Sequence, residues 1–244
     1  LARTVFFLQG LRFTILGEEN VPAVGGAVMA INHTGYFDFT YAGLAARPRG
    51  RLVRFMAKKS VFGHRVTGPL MRGMKHIPVD RHAGQGAIEA GLAAVRAGEI
   101  VGIFPEATMS RSFELKPFKG GAARIARDGG VPLLPTTLWG SQRVWTKDAP
   151  KHRLRSNTPI HITVGQPLHL AADADLNEAT EQLRLAMAGQ LAAQQAAYPR
   201  MTGDDLRYLP ARLGGTAPTP EQAHERDHHD MTRRVDKFNR GSSS

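Results

Sequence analysis

Short apolar runs alternate with amphipathic stretches along most of this chain. Runs with the length and composition of strands lie near 27–31, 52–57, 75–79, 100–104, 132–138 and 160–164. Segments with helical spacing lie between them at 39–46, 86–97 and 120–128. Because strands that alternate with helices favour a sheet covered by helices, the pattern predicts an α/β fold with a mixed, mostly parallel sheet. The 244 residues are enough for one such domain with a sizeable core.

A longer helix is predicted from about 176 to 197. Apolar residues recur there at helical spacing, and Asp173 or Asp175 precedes them as a candidate N-cap. Beyond this helix the composition turns polar, and glycine and proline interrupt any regular element. We therefore assign 1–209 to the domain and 210–244 to a polar C-terminal appendage.

The appendage contains one pattern typical of a metal site. Residues 224–228 are His-Glu-Arg-Asp-His, which matches the His-Glu-x-x-His pattern of zinc proteases. A zinc protease needs that pattern on a helix packed in the core beside a third ligand, whereas this segment lies among charged residues with almost no apolar partners. We expect a solvated or helix-forming charged tail, ahead of incidental metal binding or a catalytic zinc. No metal site is predicted.

The run from Asn32 to Asp38 carries the clearest candidate chemistry, because it places His33 five residues before an aspartate. Histidine titrates near neutrality, and a nearby carboxylate orients it and stabilises its protonated form. Residues five apart lie about 140° from each other on a straight helix, so the pair needs a turn. Gly35 and the helical pattern that follows predict a strand, a tight turn carrying His33 and a helix that begins near Asp38. The pair is interpreted as a general-base dyad; the alternative is a surface histidine beside a helix-capping aspartate.

Further segments follow in order at 74–81, 102–108 and 131–136. They read Met-Lys-His-Ile-Pro-Val-Asp-Arg, Gly-Ile-Phe-Pro-Glu-Ala-Thr and Val-Pro-Leu-Leu-Pro-Thr. Together with the His-x4-Asp run, they resemble the four sequence blocks of the glycerolipid acyltransferase family typified by 1-acyl-sn-glycerol-3-phosphate acyltransferase. The resemblance spans about 30 to 140 and implies the α/β fold of the glycerol-phosphate acyltransferases.

The resemblance also implies roles for particular residues. His33 would deprotonate the acceptor hydroxyl, and Asp38 would support it. Arg81 would hold the acceptor phosphate, Glu106 would position the glycerol part, and Thr108 in the same block would contact substrate. The reaction implied is transfer of a fatty acyl group from acyl-CoA or acyl carrier protein to lysophosphatidic acid. It gives phosphatidic acid for phospholipid biosynthesis without an acyl-enzyme and needs no cofactor beyond the acyl donor.

Block three departs from the family pattern, because Ala107 replaces the usual glycine and Met109 stands where arginine is common. A phosphate contact is therefore in doubt. Nearby cations and backbone N–H groups suited to an anion would replace it, and the alternative for the cations is a solvated basic face. The candidates are Arg111, Lys116, Lys119 and Gly120. Lys119 or the backbone near Gly120 would also stabilise the oxyanion.

The formal net charge of +11 points to anionic partners. Positive charge is densest between 47 and 81, where Asp80 is the single acidic residue. Coenzyme A phosphates, lysophospholipid head groups and an anionic membrane surface all fit such a patch. Nucleic acid would be attracted as well, but only Phe55 and Phe62 interleave with the cations and no nucleic-acid motif matches, so it is not expected as the primary partner.

No run of about 18 apolar residues occurs, so no transmembrane helix is predicted. Residues 1–16 are aromatic, apolar and basic, as in a segment that lies in a membrane interface, and a signal peptide is less favoured. The alternative is a helix and a strand packed on the core. We expect a peripheral protein at the cytoplasmic face of the cell membrane. The absence of cysteine excludes a thiolate metal site and a cysteine nucleophile.

Two alternatives to this function stay open at this point. The same chemistry would serve another lysophospholipid or a glycolipid acceptor, which needs His33 and Asp38 but not a phosphate contact at Arg81 or Arg111. A non-enzymatic module that binds anionic lipid or nucleic acid would need the basic patch but not His33.

Overall fold

The computed structural model describes residues 2–65, 67–79, 84–150 and 155–241. Its strands are β1 (Arg12–Leu16), β2 (Ala27–Ile31), β3 (Val53–Lys58), β4 (Ile77–Val79), β5 (Ile100–Ile103), β6 (Leu133–Trp139) and β7 (Pro159–Val164). They form one sheet in the order β1-β7-β6-β2-β5-β3-β4. All neighbours pair in parallel except β6 and β7. The predicted mostly parallel sheet is confirmed, and the predicted strands lie within a few residues of the observed ones.

Helices cover the sheet and extend beyond it. They are α1 (Ala2–Leu8), α2 (Asp38–Ala42), α3 (Lys59–Phe62), α4 (Thr67–Gly73), α5 (Gly84–Arg96), α6 (Gly121–Gly129), α7 (Leu176–Ala197) and α8 (Pro220–Gly241). The prediction for α7 is confirmed, and Asp175 is its N-cap, accepting the backbone N–H groups of Asn177 and Glu178 at 2.8 and 2.9 Å. The predicted helix at 39–46 is instead the short α2 followed by a 3-10 segment from Gly43 to Arg49, which contains a proline.

The central strand β2 separates two apolar layers. All five of its residues are buried. Val28 and Ala30 pack with α5, α6 and α7, whereas Met29 and Ile31 pack with the α2 region and β7. Because successive side chains of a strand point to opposite faces, an apolar residue at every position is what a strand covered on both faces requires. The carboxyl end of β2 is therefore buried and held by packing on both faces of the sheet.

The N-terminal segment divides between core and surface. Phe6 and Leu11 are buried, and Phe13 packs against the same core. Phe7 and Leu8 are 81% and 67% exposed. The N-terminal segment thus contains the helix and strand packed on the core that the alternative described. The membrane-interface hypothesis for 1–16 rests on the exposed side chains of Phe7 and Leu8. Within the described part of the chain, no helix is both long and apolar enough to cross a bilayer.

The C-terminal region continues the core past the predicted boundary. Tyr208 and Ala217 are buried in a third apolar cluster with Trp139 and Tyr198. The charged tail forms the helix α8, in agreement with the expectation of a solvated or helix-forming tail. Ala223 of this helix is buried. The boundary after residue 209 stays a prediction, although packing on the core extends beyond it.

Candidate active site

The candidate site is built on the turn that connects β2 to α2. Asn32, the first residue after β2, ties this turn to the neighbouring strand β6. Its side-chain amide donates to the carbonyl of Leu138 at 3.0 Å, and its side-chain oxygen accepts the Leu138 N–H at 2.7 Å. Both bonds are buried, so they are shielded from competition with water. The turn starts from a rigid anchor on the sheet.

His33 and Asp38 meet across this turn, as predicted. The Nδ1 atom of His33 lies 3.0 Å from Oδ2 of Asp38. The same carboxylate oxygen accepts the backbone N–H groups of Thr34 at 2.7 Å and Gly35 at 2.8 Å. Asp38 is fully buried and begins α2, where the helix dipole favours a negative charge. The turn therefore holds an aspartate that fixes the orientation of the histidine ring.

Close packing leaves the turn little freedom. A Cβ atom on Gly35 would lie 3.0 Å from the carbonyl oxygen of Ser141 and 3.1 Å from Oδ1 of Asp38, so only glycine fits without a shift. The ring of His33 stacks on Phe104, with ring centroids 4.2 Å apart. The imidazole is thus held by the carboxylate at one nitrogen and by an aromatic face along the ring, while its side chain stays 21% exposed.

Glu106 joins block three to the catalytic turn. Its Oε1 atom accepts the backbone N–H of His33 at 2.8 Å, and its Oε2 atom accepts the N–H of Lys116 at 3.1 Å. Burial raises the pKa of Glu106 to about 8, although these amide donors and the Lys116 charge act in the opposite direction. Both carboxyl oxygens contact the chain itself. The side chain positions the turn, and the contact with glycerol implied by the resemblance stays a prediction.

The rest of block three wraps around the same turn. The N–H of Ser110 donates to the carbonyl of His33 at 2.7 Å. Ala107 adopts a left-handed φ of 60°, which explains why glycine is the usual residue there in the family pattern. Met109 is buried, with its sulfur 3.5 Å from the Thr146 hydroxyl, so this side chain supplies no polar contact for a phosphate.

Arg111 is not the open phosphate contact that the sequence suggested. Its side chain is 6% exposed and forms ion pairs with three carboxylates. Nε donates to Asp227 at 2.9 Å, and the other guanidinium nitrogens pair with Asp148 and Asp230. In this structure the guanidinium is not solvated, because α8 brings two carboxylates over it, and its role as a phosphate contact stays a prediction.

Two lysines share the same carboxylate partner. Lys116 donates to Asp227 at 2.7 Å and to the Thr108 hydroxyl at 2.8 Å, and Lys147 donates to Asp227 at 3.1 Å. We call Arg111, Lys116 and Lys147 the basic cluster. Lys147 and Asp227 were missed as site residues, because their separation of 80 positions leaves no motif or spacing that links them.

An open cavity adjoins the basic cluster and the catalytic turn. It has a volume of about 410 Å³, and its walls include Tyr36, Trp145, Arg111 and Lys147. The rings of Tyr36 and Trp145 pack with centroids 4.5 Å apart, and the Tyr36 N–H donates to the carbonyl of Trp145 at 3.0 Å. The cavity thus joins aromatic surface to a group of paired charges, because Asp148 and Asp230 line it together with the two cations.

Lys119 and Gly120 are exposed and lie at the start of α6. The Lys119 N–H donates to the carbonyl of Pro105 at 2.9 Å. Gly120 lines a groove of about 420 Å³ together with Asn177 and Arg184, and neither residue of the dyad is among its described walls.

The predicted phosphate contact at Arg81 and the zinc-protease pattern on α8 remain to be located. Arg81 lies outside the described residues. His224 and His228 are exposed on α8. Among the residues that the structure describes, no group of three or more His, Cys, Asp or Glu side chains has an arrangement able to hold a metal ion.

The fold and the site together are a mostly parallel α/β sheet with a His-Asp pair at the carboxyl end of its central strand. A family model described as Acyltransferase matches residues 12–139, which include both residues of the dyad and block three. The chain therefore belongs to the acyltransferase family.

Comparison with named proteins shows which acyltransferases this chain is similar to. The chain is 33% identical over 163 residues to 1-acyl-sn-glycerol-3-phosphate acyltransferase of Bacillus subtilis, covering 66% of this chain and 76% of that one. It is 28% identical to the chloroplastic 1-acyl-sn-glycerol-3-phosphate acyltransferase BAT2 of Brassica napus, covering 70% of this chain but only 51% of the plant protein. The crystal structure of the 1-acyl-sn-glycerophosphate acyltransferase PlsC from Thermotoga maritima matches with a TM-score of 0.63 at 19% identity. That match covers 82% of this chain and 78% of the other, and it supports the fold.

Proposed function

We propose that this protein transfers a fatty acyl group from acyl-CoA, or from acyl carrier protein, to the free hydroxyl of lysophosphatidic acid. The observation that carries the proposal is the His33–Asp38 contact of 3.0 Å in a closed turn at the end of the central strand. The names of the Bacillus and Brassica relatives supply the acceptor class. The product is phosphatidic acid, which enters phospholipid biosynthesis.

The mechanism needs one base and no covalent intermediate. Asp38 engages Nδ1 of His33, which leaves Nε2 to take the proton from the acceptor hydroxyl while its oxygen attacks the thioester carbonyl. The negative charge of Asp38 stabilises the imidazolium that forms. The carbon–sulfur bond then breaks, and the imidazolium returns its proton to the departing thiolate. The histidine is regenerated, and the acyl group ends as an ester of the acceptor.

The acceptor contacts are less directly supported than the base. On the family resemblance alone, Arg81 is proposed for the phosphate, Glu106 for the glycerol part and Thr108 for a further contact with substrate. Glu106 supports the turn through its contacts with the backbone N–H groups of His33 and Lys116, and this role does not depend on a contact with the acceptor. The oxyanion role of Lys119 and Gly120 has weaker support, because His33 is not among the described walls of the groove that Gly120 lines.

A peripheral position at the cytoplasmic face of the membrane is part of the proposal. Phe7 and Leu8 present exposed apolar surface beside a groove of about 540 Å³ that is lined mainly by Phe6, Phe13 and other apolar side chains. Arg47 lies at the same groove. Apolar anchors beside positive charge are the combination that binds an anionic leaflet and its lysolipid.

A different acceptor, such as another lysophospholipid or a glycolipid, is the second candidate. The buried Met109 favours it, because methionine stands where the family pattern has an arginine and its side chain offers no polar contact to an acceptor phosphate. Such an acceptor keeps the His33 chemistry and relaxes the requirement for a phosphate.

The test is acylation of lysophosphatidic acid by the purified protein and by its His33→Ala variant. Loss of the base should lower kcat by about 10²- to 10⁴-fold. His169→Ala is the control, because His169 is an exposed histidine outside the blocks. Equal loss in both variants, or activity in His33→Ala that matches the wild type, would contradict the mechanism. If other lipids are acylated with the same dependence on His33, the second candidate is correct.

A further inference from the structure

Three cations from distant parts of the chain converge on one carboxylate. Lys116 and Lys147 donate to the carboxylate of Asp227 at 2.7 and 3.1 Å, and Nε of Arg111 donates to it at 2.9 Å. Asp230, one turn further along α8, pairs with the same guanidinium, as does Asp148, which lies outside α8 and stays in place in variants of that helix. Three donors placed around one acceptor group have the arrangement that a terminal phosphate, with its three oxygens, would use.

The carboxylate at the centre of this arrangement stays ionised. Burial acts to raise the pKa of Asp227, but hydrogen bonds from Lys116, Arg111 and Lys147 outweigh it and lower the pKa to about 2. The basic cluster therefore holds an anion at every pH at which the fold is expected to work. Only another anion, and not a proton, can displace it.

The cluster is adjacent to the reacting histidine. Ser110, next to Arg111 in the chain, donates its N–H to the carbonyl of His33 at 2.7 Å. The backbone of Lys116 binds the same Glu106 carboxyl group that holds the N–H of His33. A phosphate at the cluster would therefore lie beside the turn, at the wall of the cavity that contains Tyr36 and Trp145.

Most side chains from 220 to 233, the part of α8 whose burial the structure describes, face solvent. Ala223 is buried, but Glu225, Arg226 and His228 of α8 are exposed, and Met231 is 62% exposed. Asp227 itself is 21% exposed. Lys116 and Lys147 are 26% and 22% exposed, so solvent screens their pairs with Asp227, whereas the Arg111 side chain is 6% exposed.

We propose that Arg111, Lys116 and Lys147 form a binding site for a phosphomonoester, and that Asp227 and Asp230 of α8 occupy it as an internal competitor. Substrate would bind by displacing these carboxylates. The proposal depends on the proposed function only for the identity of the ligand. A phosphomonoester is present both in lysophosphatidic acid and at the 3′ position of coenzyme A, and the experiment must separate these sources.

The first experiment measures KM in the full-length Asp227→Asn/Asp230→Asn variant. An internal competitor that fills the site about nine-tenths of the time raises an apparent KM about tenfold, so removing its charge should lower KM by up to that factor. Glu225→Gln is the control, because it removes a charge from an exposed position of the same helix. Glu225→Gln should leave the KM for the acyl acceptor and the KM for the acyl donor unchanged.

Two substrate pairs identify the source of the phosphate. If the site takes the acceptor, the lower KM appears with lysophosphatidic acid and not with a monoacylglycerol, which lacks the phosphate. If it takes the donor, the lower KM appears with acyl-CoA and not with its 3′-dephospho form. Unchanged KM values for both substrates would contradict a role in catalysis.

A binding measurement tests the site without any turnover. Inorganic phosphate should bind the Asp227→Asn/Asp230→Asn variant up to about tenfold more tightly than the wild type, and adding Lys147→Ala should abolish that gain. If phosphate affinity does not change and only the melting temperature falls, the ion pairs are structural and the proposal is wrong. If phosphate binding tightens but no lipid is acylated, the site stands and the proposed function fails.

Discussion

Two neighbouring regions of this protein hold negative charge by different means. In the catalytic turn, Asp38 is fully buried and binds His33 and two backbone N–H groups within five residues. In the basic cluster, Asp227 is partly exposed and binds only long side chains from residues 80 to 116 positions away. The first arrangement is local and largely made of backbone; the second is long-range and made of flexible side chains.

The local contacts of the catalytic turn suit catalysis, and the long-range contacts of the basic cluster suit the binding of a ligand. A general base must be held in one orientation, since small displacements of reacting groups reduce the rate strongly. A site that exchanges one anion for another needs partners that separate at low energetic cost, as the partly exposed pairs of Lys116 and Lys147 with Asp227 do. We infer that the turn is preorganised, whereas the cluster is built to exchange its ligand.

The largest effect is expected from breaking the turn at Asp38. Asp38→Asn removes the charge that stabilises the imidazolium and replaces one acceptor oxygen with a donor facing backbone N–H groups. We expect kcat to fall by about 10²- to 10⁴-fold, the range typical of general-base catalysis. Steady-state kinetics with saturating acceptor would measure it.

A double-mutant cycle tests whether Asp38 acts through His33. In a His33→Ala background, Asp38→Asn should cause little further loss, because residues that act as a unit are not additive. A second full loss in the double variant would mean that Asp38 supports the fold of the site independently of the base.

An intermediate effect is expected at Glu106, which connects the two regions. Its raised pKa of about 8, against an ordinary value of 4.5, means that the folded protein retains a proton that the unfolded chain releases between these pH values. The free energy of unfolding should therefore fall as pH rises through this window, by up to about 1.4 kcal/mol per pH unit. Denaturant unfolding of the wild type and Glu106→Gln across pH 5 to 8 would show it.

The Glu106→Gln variant should lack this part of the pH dependence, because glutamine does not titrate. Glu225→Gln removes an exposed glutamate and should keep the slope of the wild type. If wild type and Glu106→Gln have parallel profiles, the carboxyl group is ionised in the folded protein throughout this range.

The same contrast explains what the sequence could predict. The turn was predictable because its signals are local: the apolar strand, Gly35 and the helix that begins at Asp38 adjoin one another in the chain. The ion pairs of Arg111 were not, because Asp227 lies 116 residues away and neither position carries a motif for the other. Apolar runs predicted six of the seven described strands, whereas β1 was foreseen only as the alternative for residues 1–16, and its parallel pairing with β7 depends on tertiary packing.

Glu106 shows an intermediate case. Its place in block three was visible in the sequence, and the resemblance implied a contact with substrate. The structure instead places both carboxyl oxygens on backbone N–H groups of His33 and Lys116. Backbone partners carry no sequence signature, so a buried carboxyl group that holds a loop looks the same in sequence as one that faces a ligand.

The smallest effect is expected at Ala107, beside Glu106. Its left-handed φ of 60° is unfavourable for a residue with a Cβ atom, by about 1–2 kcal/mol. Glycine removes that strain but loses about 0.5–1 kcal/mol in backbone entropy. Ala107→Gly should therefore raise the free energy of unfolding by up to about 1 kcal/mol, which denaturant unfolding at one pH would measure.

The matched control is the same substitution at Ala93, an exposed position in α5. There the backbone is helical, so glycine should lower the free energy of unfolding by about 1 kcal/mol. Opposite signs at the two positions would show that the loop carrying Glu106 is held in a strained conformation by its surroundings. Equal destabilisation would mean that Ala107 adopts this conformation without strain. The rigidity of the turn would then come from its contacts, such as those of Asn32, Asp38 and Glu106, and not from a strained loop.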